Sequence, residues 1–236
     1  MNNLNSQCAL VTGADRGLGL ELVKRLIGRG HQVIATTRRK KAGEPLALLS
    51  QSHGSAVRVL HLDVADENSI HEFAESVVAN ELEFDLVINN AGICIDQAFG
   101  AWSCRTFSDH FLVNTIGPSL LLQAVSSQLK ANAKVVQVSS GMGSLEWNLH
   151  PEGGLDAYAA SKAALNLLTR RIAEKLRPRA ITVCALNPGW VRTDMGGPDA
   201  PTSIADAVGE MLETIDGLAM NHSGHFIERD GSTLPW

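Results

Sequence analysis

Short apolar runs alternate with longer segments of helical period along this chain. Each run is continuous in its apolar residues, as strands are when helices cover both faces of a parallel sheet. The pattern predicts a β-α unit repeated about six times, followed by a closing strand. The predicted strands occupy residues 8–12, 32–37, 56–62, 86–90, 134–139, 181–186 and 224–228.

Helical segments separate these runs. Leu18, Leu22 and Leu26 recur at i, i+4 and i+8 and form one apolar stripe. Asp66 is placed to cap a helix that reaches about Asn80, with acidic residues in its first turn as the helix dipole favours. Further helices are predicted at 45–51, at 108–129, in the segment that Pro178 ends, and at 203–215.

Strands and helices in this order favour right-handed crossovers and a sheet covered on both faces. A length of 236 residues suits one large domain or two small ones, and no low-complexity linker divides the chain. We therefore expect residues 1–236 to form a single doubly wound α/β domain, with a mostly parallel sheet of about seven strands flanked by helices.

Charge and composition argue against several classes of protein. A formal net charge of −5 argues against nucleic acid as a partner. The amino terminus lacks a signal peptide pattern and no apolar run approaches the length of a membrane span, so we expect a cytoplasmic protein without a membrane partner. The spacing of Cys8, Cys94, Cys104 and Cys184 predicts reduced thiols, and the eight scattered histidines predict no metal site.

Three glycines follow the first predicted strand, in the run T-G-A-D-R-G-L-G at 12–19. Gly13, Gly17 and Gly19 allow a tight turn and a close approach of the backbone to a pyrophosphate at the helix N-terminus. Glycines also serve ordinary turns. Their position in the first β-α unit favours a dinucleotide site.

The end of the second predicted strand indicates which dinucleotide binds. An NAD-binding chain usually has an acidic residue there for the ribose 2′-hydroxyl, whereas this chain reads T-T-R-R-K-K at 36–41. Arg38 can bind the 2′-phosphate of NADP by paired, charge-assisted hydrogen bonds, and Arg16 can flank the same phosphate. We assign Arg39, Lys40 and Lys41 to a solvated loop. The predicted cofactor is NADP(H).

The chain contains a single tyrosine, Tyr158, four positions before Lys162 in the run Y-A-A-S-K. Residues i and i+4 share one face of a helix, so the phenol and the ammonium would lie side by side. A neighbouring cation favours the phenolate and lowers the pKa of the phenol from its ordinary value of about 10. The pair predicts an acid–base group that works near neutral pH.

The order of these and other motifs resembles the short-chain dehydrogenase/reductase family over nearly the whole chain. The other motifs are D-V at 63–64, N-N-A-G at 89–92, Asn114, S-S at 139–140 and P-G-W-V-R-T at 188–193. The stretches P-G-W-V-R-T-D-M-G-G and D-G-S-T-L-P-W are most similar to the small carbonyl reductases that include the C-factor-like signalling proteins. The resemblance implies a Rossmann-type fold and hydride transfer from a nicotinamide cofactor.

The resemblance also implies roles for individual residues. Tyr158 would exchange a proton with the substrate oxygen and Ser140 would hydrogen-bond that oxygen. Lys162 would lower the pKa of Tyr158 and bind the nicotinamide ribose, and Asn114 would hold a water in a proton relay toward Lys162. The cofactor would contact Tyr158, Lys162 and a further set: Gly13, Arg16, Gly17, Leu18, Gly19, Arg38, Asp63, Val64, Asn90, Ala91, Gly92, Pro188, Val191 and Thr193.

Some of these residues also have structural roles open to them. Asn90 can stabilise the sheet, Asp63 can serve an ordinary turn, and one of Ser139 and Ser140 can cap a strand end. Asn114 can cap or kink a helix, because asparagine often bonds to local backbone.

One departure from the family concerns the substrate. Ser140 and Tyr158 are 18 positions apart, more than the family often has. The extra residues predict a longer loop at the mouth of the site, in which His150 is expected to be exposed. Loops at 93–105, 141–156 and 190–206 would surround the substrate, and the glycines and prolines of 194–206 favour a mobile lid.

We therefore predict an NADP-dependent oxidoreductase that reduces the carbonyl of a small or medium apolar aldehyde or ketone to an alcohol. The resemblance suggests a homodimer or a homotetramer. The main alternative is an NADP-binding signalling protein with little turnover. A sugar-nucleotide epimerase would usually carry a substantial carboxy-terminal domain, and the complete set of Asn114, Ser140, Tyr158 and Lys162 disfavours a scaffold with a decayed site.

Overall fold

The computed structural model describes residues 6–236, and seven strands in this part of the chain pair into one sheet. The strands are β1 (Cys8–Val11), β2 (Gln32–Thr37), β3 (Val57–His61), β4 (Phe84–Asn89), β5 (Leu129–Val138), β6 (Thr182–Asn187) and β7 (Phe226–Glu228). Every neighbouring pair is parallel, in the order β3-β2-β1-β4-β5-β6-β7. The predicted doubly wound α/β fold is confirmed.

Helices cover both faces of the sheet. They are α1 (Gly17–Gly28), α2 (Glu44–His53), α3 (Glu67–Ala79), α4 (Cys104–Phe111), α5 (Gly117–Ala124), α6 (Asp156–Leu176) and α7 (Ile204–Gly217). Helices α1, α2 and α7 enclose one apolar core, and α3, α5 and α6 enclose the other. Successive residues of a strand point to opposite faces, so Val11 enters the first core and Leu10 the second.

The predicted helix start at Asp66 is confirmed. Its side chain accepts a hydrogen bond from the backbone N–H of Asn68 at 3.0 Å, which satisfies one of the free donors at the start of α3. Among the described residues, no helix is long and apolar enough to cross a membrane.

The single helix predicted at 108–129 is wrong at both ends. Helix α4 begins earlier, at Cys104, because Ser103 caps it by accepting a hydrogen bond from the backbone N–H of Thr106 at 3.1 Å. Helix α5 ends at Ala124, and Leu129 already belongs to β5. The first half of β5 shows no continuous buried apolar run, because Ala131 and Asn132 are exposed there. Its pairing with β4 is irregular over the same stretch.

Between α4 and α5 the chain widens into a π turn over Leu112–Ile116. Proline has no backbone N–H, so Pro118 cannot donate to the carbonyl of Asn114 four positions earlier, as an α-helix requires. In the wider turn the backbone N–H of Gly117 donates to the carbonyl of Leu112, five positions earlier, and such turns are frequent at functional sites. The turn places Asn114 beside the carboxyl ends of the central strands.

The strand order reverses between β1 and β4. The connections that leave these two strands diverge to opposite sides of the sheet, which opens a crevice at their carboxyl ends. The glycine run, the N-N-A-G run and the paired serines all follow central strands and meet at this edge.

Candidate active site

A cleft of about 340 Å³ lies at the carboxyl edge of the sheet. Most of the predicted cofactor residues line it: Gly13, Arg16, Gly17, Leu18, Arg38, Asp63, Val64, Asn90, Ala91, Gly92, Tyr158, Lys162, Pro188 and Thr193. The two exceptions are buried beneath the cleft wall. Gly19 packs under the glycine loop, and Val191 forms an isolated bridge with Thr202.

The glycine loop is held against the loop that follows β4. Gly13 has a φ of +63°, and a Cβ there would come within 2.9 Å of the Ala91 Cα. The hydroxyl of Thr12 accepts hydrogen bonds from the backbone N–H groups of Asn90 and Ala91, both at 3.0 Å. The Asn90 side chain donates to the carbonyl of Thr12 at 2.9 Å. Asn90 therefore has the structural role that the sequence left open.

The N-terminus of α1 faces this cleft without a capping side chain. Arg16 occupies the N-cap position but makes no side-chain cap hydrogen bond, and the first turn contains no acidic residue. The leading N–H groups and the helix dipole therefore favour an anion at this point. With the close backbone approach at Gly13, the loop fits the pyrophosphate of a dinucleotide.

Gly19 has no room for a side chain. A Cβ there would overlap the carbonyl oxygen of Gly13 and come within 2.6 Å of the Asn90 amide nitrogen and 3.0 Å of the Ala14 Cα. We expect Gly19→Ala to lower the free energy of unfolding by roughly 1–3 kcal/mol, as overpacking of rigid backbone does, and to weaken dinucleotide binding. Urea unfolding and a fluorescence titration measure the two effects.

Gly28 in the same helix is the matched control. Nothing lies within 4 Å of a Cβ placed there. Gly28→Ala should leave stability unchanged or raise it by up to about 1 kcal/mol, because alanine is the better helix former. If both substitutions behave alike, backbone crowding at Gly19 is not what requires the glycine.

The basic run after β2 lies at one end of the cleft. Arg38 is exposed and lines the cleft, and its role at the 2′-phosphate stays a prediction. Arg39 is exposed in this loop, as expected, but its guanidinium also pairs with the carboxylate of Asp15 at 3.2 Å and it lines the cleft. Asp15 further accepts a hydrogen bond from the backbone N–H of Gly43 at 2.6 Å. Asp15 therefore fixes the basic loop against the glycine loop.

The segment 190–206 closes the opposite side. The guanidinium of Arg16 pairs with the carboxylate of Asp194 across the cleft. The base of the segment is fixed by the bridge between Val191 and Thr202 and by hydrogen bonds of 2.8 Å from Arg192 to the carbonyls of Ala200 and Pro201. Thr193 and Met195 flank Asp194 in this segment, and both line the cleft. The mobile lid stays a prediction.

Tyr158 and Lys162 share one face of α6, as the spacing predicts. The Lys162 ammonium is 5.8 Å from the centre of the Tyr158 ring. Its Nζ donates a hydrogen bond to the Val138 carbonyl at 2.8 Å, and the side chain is 4% exposed. Burial lowers the pKa of Lys162 from its ordinary 10.5 to about 8. The lysine therefore becomes neutral at a much lower pH than an exposed one.

The expected direction of the Tyr158 pKa is wrong. Although the side chain is partly open to the cleft, the surrounding protein raises its pKa to about 12, and a hydrogen bond with Ser140 offsets this only in part. Burial penalises the phenolate, and the Lys162 ammonium is bonded to the Val138 carbonyl rather than to the phenol. In the cofactor-free protein Tyr158 is a protonated phenol at neutral pH.

The adjacent residues Ser139 and Ser140 make different contacts. Ser139 is buried and donates a hydrogen bond to the Asn166 side chain at 2.6 Å. Ser140 bonds to Tyr158 and accepts a hydrogen bond from the backbone N–H of Met142 at 3.2 Å. Ser140 is therefore the serine that lies beside the acid–base pair.

The Asn114 side chain holds the loop after β4. Its Oδ1 accepts from the backbone N–H of Ile93 at 2.9 Å, and its Nδ2 donates to the Ile93 carbonyl at 2.9 Å and to the Ser161 hydroxyl at 3.0 Å. All of these contacts are structural. The proton-relay role of Asn114 stays a prediction.

The extra residues between Ser140 and Tyr158 form an exposed loop beside the serine. A Cβ on Gly141 would come within 3.2 Å of the Leu149 side chain and 3.3 Å of the Trp147 ring. The backbone N–H of Gln97 donates to the Gly154 carbonyl at 2.8 Å, which joins this loop to 93–105. His150 is exposed, as predicted.

Sequence reasoning missed Asp15 and Asp194, which line the cleft, and His110, whose ring contacts Tyr158. The first two lie inside or next to the quoted motifs, but their partners are distant along the chain. His110 carries no motif signal. The residues that the structure describes contain no cluster of histidine, cysteine, aspartate or glutamate that could hold a metal ion.

Comparison with known proteins agrees with this geometry. The family model for short chain dehydrogenases matches residues 7–204. The C-signal protein of Myxococcus xanthus is 42% identical over 155 residues, which cover 64% of this chain and 92% of that protein.

Two solved structures superpose closely on the chain. The NADPH-bound carbonyl reductase from chicken fatty liver has a TM-score of 0.91 and 33% identity, covering 99% of this chain and 100% of that one. The carbonyl reductase Sniffer of D. melanogaster has a TM-score of 0.91 and 31% identity, covering 98% of this chain and 100% of that one.

Proposed function

The chain belongs to the short-chain dehydrogenase family, and from that premise we propose that it is an NADP-dependent carbonyl reductase with Tyr158 as the proton donor. The observation that carries the proposal is that Tyr158 and Lys162 line the same cleft as the glycine loop and Arg38. An acid–base pair and a dinucleotide site then serve one reaction. Similarity to carbonyl reductases, one of them solved with NADPH, supports the same conclusion.

The residues of the cleft fit NADP(H) along its length. The glycine loop and the uncapped start of α1 would hold the pyrophosphate. Arg38 would bind the 2′-phosphate, with Asp63 and Val64 at the adenine. At the other end lie Asn90, Ala91, Gly92, Pro188 and Thr193, with Val191 in support. When bound, the cofactor supplies the hydride.

In the mechanism that we propose, Tyr158 gives its proton to the substrate oxygen as negative charge develops there. The raised pKa keeps the donor protonated at neutral pH. Ser140, which bonds to Tyr158, would donate a second hydrogen bond to the same oxygen. The Lys162 ammonium stabilises the tyrosinate that remains, since opposite charges attract strongly in a buried site.

We propose an apolar aldehyde or ketone as the substrate. Leu145, Trp147 and Leu149 are exposed on the enlarged loop, and Trp190 and Met195 are exposed on the segment opposite. Met195 lines the cleft, and Trp147 and Leu149 lie beside Gly141, next to Ser140. Exposed apolar side chains at these places suit an apolar ligand. A panel of aldehydes, ketones and quinones, followed by NADPH absorbance, tests the function; no oxidation with any of them would contradict it.

Cofactor preference gives a separate prediction. We expect NADPH to bind at least tenfold more tightly than NADH, because Arg38 stands where an NAD-binding chain usually has an acid. Arg38→Ala should remove most of this difference while leaving the dissociation constant of NADH unchanged. Fluorescence titration of both cofactors measures it, and equal constants for the native protein would refute the assignment.

Lys40 supplies the matched control. It is exposed in the same basic run but is not among the residues that line the cleft. Lys40→Ala should leave the preference for NADPH nearly intact, because an exposed charge outside the cleft contributes little. If Lys40→Ala and Arg38→Ala weaken NADPH binding equally, the effect is one of general charge.

A signalling role with little turnover is the second candidate. The similarity to the C-signal protein favours it, whereas Tyr158, Lys162 and Ser140 together favour catalysis. Tyr158→Phe separates the two, because a signalling role that depends only on NADP binding would survive the substitution.

Assembly is a further prediction. Leu112, Ile116 and Leu167 are exposed apolar residues on the α4–α5 region and on α6, and they suit a homodimer or homotetramer. Light scattering after gel filtration measures the mass in solution. We also propose that 1–236 acts as one dinucleotide-binding domain.

A further inference from the structure

His110 is a fully buried polar residue on α4, with a relative exposure of 0%. Both of its ring nitrogens have partners. Nδ1 lies 2.7 Å from the Thr106 carbonyl, and Nε2 lies 3.0 Å from the backbone N–H of Ile95. A carbonyl can only accept and an amide N–H can only donate. The neutral ring with its hydrogen on Nδ1 satisfies both contacts.

Asn114 lies one helical turn after His110 and makes a similar contact. It binds the backbone of Ile93 through both atoms of its amide. His110 and Asn114 therefore hold two alternate residues of one loop, Ile95 and Ile93. The segment 93–95 is thereby clamped at both ends.

The clamped segment forms a wall of the reaction site. Its middle residue, Cys94, is close enough to Tyr158 and Lys162 to affect the pKa of each. The ring of His110 also meets the ring of Tyr158 edge to face, with centroids 6.3 Å apart and an interplanar angle of 69°. A shift of His110 would therefore displace Tyr158 through the ring contact and through the loop at 93–95.

We propose that His110 is a positioning residue, which holds the loop at Ile95 and packs against Tyr158 so that a bound carbonyl meets the phenol. The proposal rests on the proposed reductase function. It adds a determinant outside the motif residues, and it requires a hydrogen-bond acceptor at the position of Nε2 rather than a histidine as such.

Two substitutions separate the ring's two hydrogen bonds. In His110→Gln the side-chain oxygen can reach the place of Nε2 and accept from Ile95. In His110→Asn the shorter amide matches Nδ1, so it can donate to Thr106 but leaves the Ile95 N–H without a partner. Both variants keep a buried polar amide: His110→Gln retains the contact with Ile95 and loses the one with Thr106, and His110→Asn does the reverse.

We expect His110→Asn to raise the KM for the carbonyl and to lower kcat, with kcat/KM falling about 10- to 100-fold, as misplacement near 1 Å can cost. His110→Gln should stay within about threefold of the native kcat/KM, since it restores the acceptor. The dissociation constant of NADPH should be unchanged in both. Equal kcat/KM in the two variants, or a fall that only follows the folded fraction, would overturn the proposal.

Amide hydrogen exchange tests the clamp without any turnover. Exchange at Ile95 should be slow in the native protein and in His110→Gln, and faster in His110→Asn. Equal protection in all three would refute the clamp. If the native protein reduces no carbonyl and the exchange pattern still appears, the reductase function fails while the clamp stands.

Discussion

Tyr158→Phe is expected to lower kcat for carbonyl reduction by about 10²–10⁴-fold, the contribution usual for a positioned general acid. The substitution removes the only proton donor that we assign to the substrate oxygen. It keeps the aromatic ring, and so its contact with His110. NADPH should still bind, because the glycine loop and Arg38 are untouched. Stopped-flow absorbance and a cofactor titration measure the two quantities.

Stability and spectroscopy provide the controls for this variant. The free energy of unfolding should fall by about 1 kcal/mol, since one hydrogen bond with Ser140 is lost. Tyr158 is the single tyrosine of the chain, so the tyrosinate absorbance of the native protein reports this group alone. It should appear near pH 12 and be absent from the variant. Retained turnover would mean that another group donates the proton.

The fold could be predicted because its signals are local. A continuous apolar run or an apolar stripe is visible within a few residues, and each of the seven strands matches such a run. The helix predicted at 108–129 has the wrong bounds because Ser103 caps α4 earlier in the chain and because α5 ends at Ala124, before β5 begins at Leu129. The early part of β5 failed because an asparagine with φ of +63°, Asn132, lies within it and because the apolar pattern starts only later.

The sequence motifs identified the part of the candidate site that lies at the carboxyl edge of the sheet. Gly13, Asn90 and Tyr158 come from different strands and helices, yet all line the cleft. What the motifs omit is pairing at long range. Asp15 meets Gly43 from 28 positions away, and Arg16 meets Asp194 from 178.

The pKa of Tyr158 illustrates a second limit. Spacing alone puts a cation next to a phenol and predicts a lower pKa. The direction in the cofactor-free protein is set by burial and by the bond of Lys162 to the Val138 carbonyl, neither of which the spacing contains. The raised value suits reduction, which needs the phenol, more than oxidation, which needs the phenolate.

Lys162→Met is expected to lower kcat by about 10- to 10³-fold, because an opposite charge near a phenol typically changes its acidity by that factor. The methionine keeps an apolar stem in the buried space. In the native protein the rate of reduction should fall as the pH rises through about 8, where Lys162 loses its proton, and the variant should lack this step. Rate profiles of both proteins against pH measure the difference.

The free energy of unfolding of Lys162→Met should not fall with its activity. The pKa of Lys162 is lowered to about 8 in the folded protein from an ordinary 10.5, so between these values the unfolded chain binds more protons than the folded one. The contribution of Lys162 to the free energy of unfolding therefore rises with pH over this window. Below pH 8 a buried ammonium opposes folding, so Lys162→Met should be at least as stable as the native protein there, and its stability should rise less from pH 8 to 10.5. A variant that lost activity and stability together would mean that Lys162 mainly supports the fold.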